Sequence, residues 1–516
     1  MLGCPQPANT GKQDSGDYTM TYDGNGSTSG AVPVDTRLYN SGEAVAVPEN
    51  TGKLQKKGYT FTGWTTEAGG KGMFQNVDTT FNMGNGNMVL YACWIPNYRV
   101  FKAIDASVQP YASYDCQAEL LEFGRTCLVY AEIEANIAYE TGKKVALEFD
   151  TKIYNQVRNT FGKEVDYDSN GRVIILLLDV KDGYTDTSGT YAVGYFNADN
   201  QFGVETKPES NEAEIIYIDT NPSEVDSSFF YASIAHEFQH LVNWSQTYPV
   251  IGAEQDTWIT EGLSSAAEYL YSKGHIQWKV DYFNSDPGGT IRRGNNFFVW
   301  NDPLKEGQGV LDGDVLANYA SVYLFFQWLR IHADNGNGIF REIVESSFSD
   351  YRAVTTAAGR NISTKFNNWQ YLLSSWMLAN ILGQDSGWKG YKNSVGVEMG
   401  MFEDSSPEGY LLAPGEGVYS LRSASLTDVP AGSGQHVRYI GIDSVSGRDF
   451  RSQPFGGDLA LVYNANTDIG GDSETGFVAG GGSRGSLSSL RSSVVPISPV
   501  GGSFPVDLTV RLRESD

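Results

Sequence analysis

Positive charge is scarce in this chain. Only 37 Lys and Arg stand against 62 Asp and Glu, a formal net charge of −25 over 516 residues. A field of that sign repels phosphate backbones and anionic headgroups, so nucleic-acid binding is excluded as a first reading. Long hydrophobic runs are missing too. The longest, Val173 to Leu178, is strand-sized and far short of the roughly 18 residues of a spanning helix. The four cysteines are too few for a disulfide-dense scaffold. Cys116 and Cys127 are close enough in sequence to close a short loop in an oxidising compartment; two reduced cysteines on neighbouring strands is the other reading. What is abundant is Gly (58), Tyr (30) and Trp (10), with 40% hydrophobic residues. That composition fits a turn-rich, partly β globular protein. At roughly 100–200 residues per domain, the length allows about three or four units.

The text divides into four parts. Residues 1–16 are polar and read as a flexible tether. Residues 17–97 alternate short strands with turns, as in Tyr22-Asp23-Gly24-Asn25-Gly26, Lys57-Gly58-Tyr59-Thr60-Phe61-Thr62-Gly63-Trp64 and Met88-Val89-Leu90-Tyr91-Ala92-Cys93-Trp94. Tyr59, Phe61 and Leu90 recur at period two with their neighbours and are expected on one sheet face. Residues 98–416 mix both periods. Ala118–Glu134 reads as a hairpin turning at Gly124-Arg125, and Lys144–Phe161 as a helix. Strands are expected at Val173–Val180, Ala192–Phe196 and Glu214–Asp219, and helices at Ser227–Trp244, Thr257–Tyr271, Val315–His332 and Asn367–Leu382. Strands followed by helices indicate an α+β unit with a sheet lobe to about residue 250 and a helical lobe after it. Residues 417–516 read as a C-terminal all-β domain, with strands at Leu459–Tyr463 and Val506–Leu512.

Two resemblances concern the N-terminal part. The run of residues 17–94 is similar to the internalin B-repeat, or Listeria–Bacteroides repeat, which implies a small β-grasp-like module of bacterial surface proteins and no chemistry. Met1-Leu2-Gly3-Cys4-Pro5, followed by polar residues, resembles the processing site of a bacterial lipoprotein. Cys4 is thus the one expected route to membrane anchoring, through a lipid.

The chemistry is concentrated at His236-Glu237-Phe238-Gln239-His240. Two histidines four apart stand on one helix face, about 5–6 Å apart at Cβ, so both imidazoles can reach one metal ion. Glu237 projects beside them, near enough to take a proton from water without ligating the metal. With only five histidines in the chain, chance would produce this pattern on the order of a few times in a thousand. Glu261 follows His240 after 20 intervening residues (241 to 260), within Trp258-Ile259-Thr260-Glu261-Gly262. Three protein ligands with an open fourth position is the arrangement of a catalytic zinc.

These residues resemble the gluzincin metallopeptidases, and the extended His-Glu-Phe-Gln-His-Leu-Val-Asn with the upstream Glu214–Asp219 is most similar to the hyicolysin family of bacterial secreted peptidases. The likeness runs from about Tyr98 to Pro414 and implies a zincin-like fold. It implies that His236, His240 and Glu261 hold one zinc ion, that Glu237 is the general base, and that Tyr319 supplies an oxyanion donor. Tyr323, His275 and His332 are weaker candidates for that last role. Thermolysin-like gluzincins place an Asp four residues after the third ligand to orient a zinc histidine. Ser265 stands there instead, so the partner of His236 is open, as is the role of Glu268.

An extended substrate would pair with an edge strand, and Ala192–Phe196 is the candidate. Asp166-Tyr167-Asp168-Ser169-Asn170-Gly171 copies the start of an EF-hand loop, but its twelfth position is Leu177 and not Glu. A turn into the following strand is expected, with a calcium site of another kind as the alternative. Gly480–Gly485 lacks the Lys-Ser/Thr of a phosphate loop. The sequence therefore reads as an extracellular or cell-surface zinc endopeptidase, monomeric, acting on protein or peptide. The competing reading is a surface adhesin with a non-catalytic metal site. An aminopeptidase is disfavoured because no Gly-x-Met-Glu-Asn-type segment precedes His236.

Overall fold

The computed structural model describes residues 16–70, 72–108, 111–185, 190–287, 291, 297–298, 311–385, 387–398, 415, 417–421, 437–443, 445–451, 459–464 and 506–512. Cys4, the tether up to residue 15 and Gly480–Gly485 lie outside the described residues. The chain is a mixed α+β protein with an N-terminal sheet region and a helical region.

The N-terminal strands are β1 (Tyr18–Asp23), β2 (Leu38–Tyr39), β3 (Ala44–Ala46), β4 (Tyr59–Thr65), β5 (Phe74–Gln75), β6 (Thr80–Asn82) and β7 (Met88–Pro96). They form a five-stranded sheet in the order β2-β1-β7-β4-β5, with β3 and β6 paired beside it. Met20, Trp64, Leu90 and Ala92 fill its core. Arg172 ties this unit to the next. Its guanidinium is buried, donates to Thr62 O at 3.0 Å and Asn76 Oδ1 at 2.9 Å, and lies over the Phe74 ring.

The main sheet begins with β8 (Tyr98–Asp105), β9 (Ala112–Phe123) and β10 (Cys127–Glu132), so the expected hairpin at Gly124-Arg125 forms. A helical segment follows as α1 (Tyr139–Glu148), a π-helical turn (Phe149–Ile153) and α2 (Tyr154–Phe161). It starts earlier than the periodicity indicated. The wider turn keeps both Phe149 and Ile153 fully buried. Then come β11 (Val173–Leu178), β12 (Thr190–Asn197) and β13 (Ile215–Asp219). Every residue of β11 is buried, as a central strand covered on both faces requires. Val173, Ile175 and Leu177 face the helices, while Ile174, Leu176 and Leu178 face a second core on the far side.

That alternation decides the cysteines. Cys127 joins the helix-side core and Cys116 the opposite one, so their sulfurs lie on different faces of the sheet. Both are free thiols, and the disulfide reading is corrected to two reduced cysteines on neighbouring strands.

The helical region contains α3 (Ser228–Ile251), α4 (Thr257–Ser272), α5 (Gln277–Ser285), α6 (Leu311–His332), α7 (Gly338–Val344), α8 (Tyr351–Asn361) and α9 (Trp369–Leu382). Ser227 caps α3 by accepting from Phe230 N–H at 3.1 Å. The sequence pattern ended this helix at Trp244; it runs on to Ile251, where Gly252 closes it in the left-handed conformation. The extra turns are held by Trp244 stacked on Tyr248, with Phe202 edge-on to both. Among the described residues no helix is long and apolar enough to cross a membrane.

Beyond the helices, β14 (Gly417–Leu421), β15 (Val437–Asp443), β16 (Arg448–Phe450) and β17 (Leu459–Asn464) form a four-stranded sheet. Its Ile440, Ile442 and Leu461 share the core of the helical region. The last strand, β18 (Val506–Leu512), returns to the main sheet, whose order is β18-β12-β13-β11-β10-β9-β8. It pairs antiparallel with β12 from Thr190 to Asn197. The expectation that Ala192–Phe196 is an edge strand is therefore overturned: β12 is paired on both sides, by β13 and by β18. A strand contributed from more than 300 residues away leaves no local trace in the pattern of β12.

Candidate metal centre

Helix α3 carries His236, Glu237 and His240 on its buried stretch, and α4 packs across it with Glu261 in its first turns. The crossing is tight for identifiable reasons. Ser264 Oγ donates to Gln239 Oε1 at 2.5 Å, pinning α4 to α3. Gly262 lets α6 approach, since a Cβ there would lie 2.3 Å from the Phe326 ring. Trp258 is fully buried among Phe298, Phe325 and Trp369 and anchors the start of α4.

His236 Nε2 lies 3.2 Å from Glu261 Oε2, and His240 Nε2 lies 3.5 Å from Glu261 Oε1. One ligand atom from each of the three residues falls within 4.8 Å of the others. All three side chains are buried, yet His236 Nε2, His240 Nε2 and both Glu261 oxygens make no hydrogen bond. Four polar atoms converging in a buried space without donors or acceptors is costly unless something else binds them. Two imidazole nitrogens and a carboxylate fit a zinc ion. Glu237 is fully buried beside them. Its side chain lies against β12 at Gly194, where a Cβ would come within 3.1 Å of Glu237 Cγ. The same Cβ would meet Tyr217 O on β13 at 2.6 Å, so the glycine admits both the neighbouring strand and the Glu237 side chain, a constraint the sequence pattern did not reveal.

The partner of His236 is now defined. Its Nδ1–H donates to Glu268 Oε1 at 2.6 Å, and that oxygen also accepts from Lys279 Nζ at 2.7 Å. Lys279, buried on α5, also donates to Ser265 Oγ at 2.7 Å. The orienting carboxylate thus sits two turns after Glu261, and Ser265 supports the lysine behind it. Glu261, Ser265 and Glu268 share one face of α4 by their spacing, which was a legible signal; Lys279 had none. Burial alone would raise the Glu268 carboxyl, but Lys279 and His236 outweigh it and hold it down to about 2. Burial would lower His236, but Glu261 and Glu268 lift it to about 10. His240 has no such hydrogen-bonded carboxylate, and burial pushes it down to about 4.

Glu268→Gln is expected to weaken zinc binding about 10–100-fold, because Nδ1–H loses its charged acceptor. The same change leaves Lys279 buried without a counter-charge, at a cost of about 3–5 kcal/mol. Adding Lys279→Met should restore the melting temperature but not the zinc affinity, as read by chelator competition. Recovery of both would show that Glu268 matters only to packing.

Tyr319, on α6, is buried and lines a small cavity together with Val193, His236, Glu268 and Lys279. The Lys279 ammonium lies 5.6 Å from its ring centroid. The other candidates are held elsewhere. The Tyr323 hydroxyl accepts from Ile276 N–H and lies 2.9 Å from His275 Nδ1, and His332 Nε2 donates to Gly390 O.

Two buried helices thus bring two histidines and a glutamate together around unsatisfied polar atoms, an arrangement that could hold a metal ion. The comparisons with known proteins agree. The chain is 30% identical over 312 residues to the neutral metalloprotease ShpI of Staphylococcus hyicus, covering 59% of this chain and 67% of that protein. It belongs to the family of that enzyme, the hyicolysin metalloproteases. Residues 18–93 match the Listeria-Bacteroides repeat domain. A stretch of 78 residues is 46% identical to a protein of Evansella cellulosilytica described as a putative Gly-rich membrane protein, covering 15% of this chain and 9% of that one.

Proposed function

We propose that the chain is a zinc-dependent endopeptidase working outside a bacterial cell or on its surface. His236, His240 and Glu261 are the zinc ligands, Glu237 is the general base, and protein or peptide is the substrate. The observation that carries this reading is the set of buried, unhydrogen-bonded nitrogens and oxygens at His236, His240 and Glu261, with Glu237 alongside. Bound zinc would supply Lewis-acid polarisation of the scissile carbonyl and lower the pKa of the attacking water toward about 7. Glu237 takes the proton as water adds to that carbonyl, then delivers it to the leaving amine as the C–N bond breaks. Burial of Glu237 keeps competing water from its carboxylate. Tyr319 is the proposed donor to the tetrahedral oxyanion. The Glu268–Lys279 pair fixes the His236 ring so that Nε2 faces Glu261.

The reading extends to a monomer, with lipid attachment at Cys4 as its route to the membrane. A surface adhesin is the other reading, favoured by the repeat module, which brings no chemistry. A structural metal site, however, has no use for a buried carboxylate held against a glycine beside it. The test is digestion of casein by the zinc-loaded chain. Cleavage is expected, with loss on chelation and recovery on adding zinc back. A chain holding one zinc and cleaving no unfolded protein would favour the adhesin.

A further inference from the structure

A second group of carboxylates lies apart from the His236 centre. Asp166 to Gly171 fold into a tight turn ahead of β11, in which Asn170 N–H donates to Asp168 Oδ1 at 3.0 Å and Gly171 N–H to Asp166 Oδ1 at 3.1 Å. Glu214 immediately precedes β13, the parallel neighbour of β11, and Ile174 N–H donates to its main-chain oxygen at 2.7 Å. Sheet register thus brings a residue distant in sequence against the turn. One oxygen from each of Asp166, Asp168 and Glu214 lies within 4.8 Å of the others.

Glu214 is the telling member. It is only 1% exposed. One carboxylate oxygen accepts from Tyr167 N–H, while Oε2 has no hydrogen-bond partner. A buried carboxylate oxygen without a donor is strongly unfavourable unless the group takes up a proton or a cation lies beside it, and two further carboxylates lie beside this one. Arg172, next after the turn, gives its hydrogen bonds to Gly124 O, Thr62 O and Asn76 Oδ1. Arg99 donates to Asn211 O, and its charge acts on Asp168.

We propose that Asp166, Asp168 and Glu214 bind a calcium ion. The donors are oxygens only, which selects a hard cation. Lying within 4.8 Å of one another, the three oxygens can all reach one ion at Ca–O distances of roughly 2.4 Å, and an exposed, a half-buried and a buried carboxylate suit the irregular shell calcium accepts. Main-chain oxygens and water would complete it. Burial and repulsion from Asp168 push Glu214 up to about 8, and burial raises Asp168 to about 6. The turn also adjoins the N-terminal sheet, since Gly171 lies against the Phe74 ring. An ion here would steady the junction that Arg172 makes.

The experiment uses the full, zinc-loaded chain. Calcium is titrated by calorimetry, and terbium by luminescence sensitised through the neighbouring Tyr167. One equivalent of calcium is expected to bind, to displace terbium and to raise the melting temperature by several degrees. Glu214→Gln and Asp168→Asn should lose this binding. Asp166→Asn changes an exposed residue with little risk to folding and should weaken it at least tenfold, with casein cleavage retained. Absence of binding at millimolar calcium would overturn the site. So would variants that bind as tightly as wild type. Magnesium displacing terbium as well as calcium does would overturn the choice of ion.

Discussion

Glu237→Gln is expected to keep one zinc per chain while kcat on casein falls by about 10²–10⁴-fold, the range that a positioned general base contributes. The amide fills the volume of the carboxylate, so the close fit against Gly194 survives and the melting temperature should hold. What is lost is a group able to take a proton from water and return it to the amine. KM should change little, because the substitution removes a function exercised in the transition state and not a contact of the bound peptide. The measurement is steady-state kinetics beside zinc analysis of the same samples. Full activity in the variant would remove Glu237 from the chemistry. Loss of zinc along with activity would instead make it part of the metal cage.

Glu261→Gln separates the proposed ligand from the proposed base. Both oxygens of Glu261 are buried, within 3.2–3.5 Å of the two imidazole nitrogens, and accept no hydrogen bond. The amide keeps the shape but brings no negative charge and offers a weaker donor oxygen. With structural zinc bound by four ligands at about 10–16 kcal/mol, one ligand is worth on the order of 3 kcal/mol, or about a hundredfold in affinity. Zinc should therefore bind on the order of 10²-fold more weakly, and activity should be recovered in part by excess zinc. Glu237→Gln, by contrast, should not respond to added zinc. An unchanged affinity in Glu261→Gln would leave His236 and His240 without their proposed third partner.

The two helices of the centre were readable because their signals are local. Histidines at i and i+4 share a face of any helix, and a glutamate opening the next helix can face them if the two pack. Glu261-Gly262 was readable as a pair for the same reason, although only the packed helices show why the glycine is there: α6 occupies the space of its Cβ. Glu268 was half legible. Its spacing from Glu261 places it on the right face of α4, but its bond to His236 spans 32 residues and depends on the angle at which α3 and α4 cross. Lys279 and Gly194 were not legible at all, being brought to the site by a third helix and by a strand of the sheet.

Local pattern alone was enough to single out His236, Glu237, His240 and Glu261 as candidates, to give the mixed α+β class, and to locate the strongly periodic elements, though not where the helical segment at Tyr139–Phe161 begins or where the helix at Ser228–Ile251 ends. Each depends on neighbours within a few turns of chain. The tertiary structure decided what depends on partners far apart. It put Cys116 and Cys127 on opposite faces of one sheet, because strand alternation and register, and not loop length, set where a side chain points. It covered β12 with β18, because an edge is a property of the assembled sheet. It brought Glu214 to the turn at Asp166 and Asp168 through the pairing of β11 with β13. In each case the deciding contact joins segments that no window of sequence contains together.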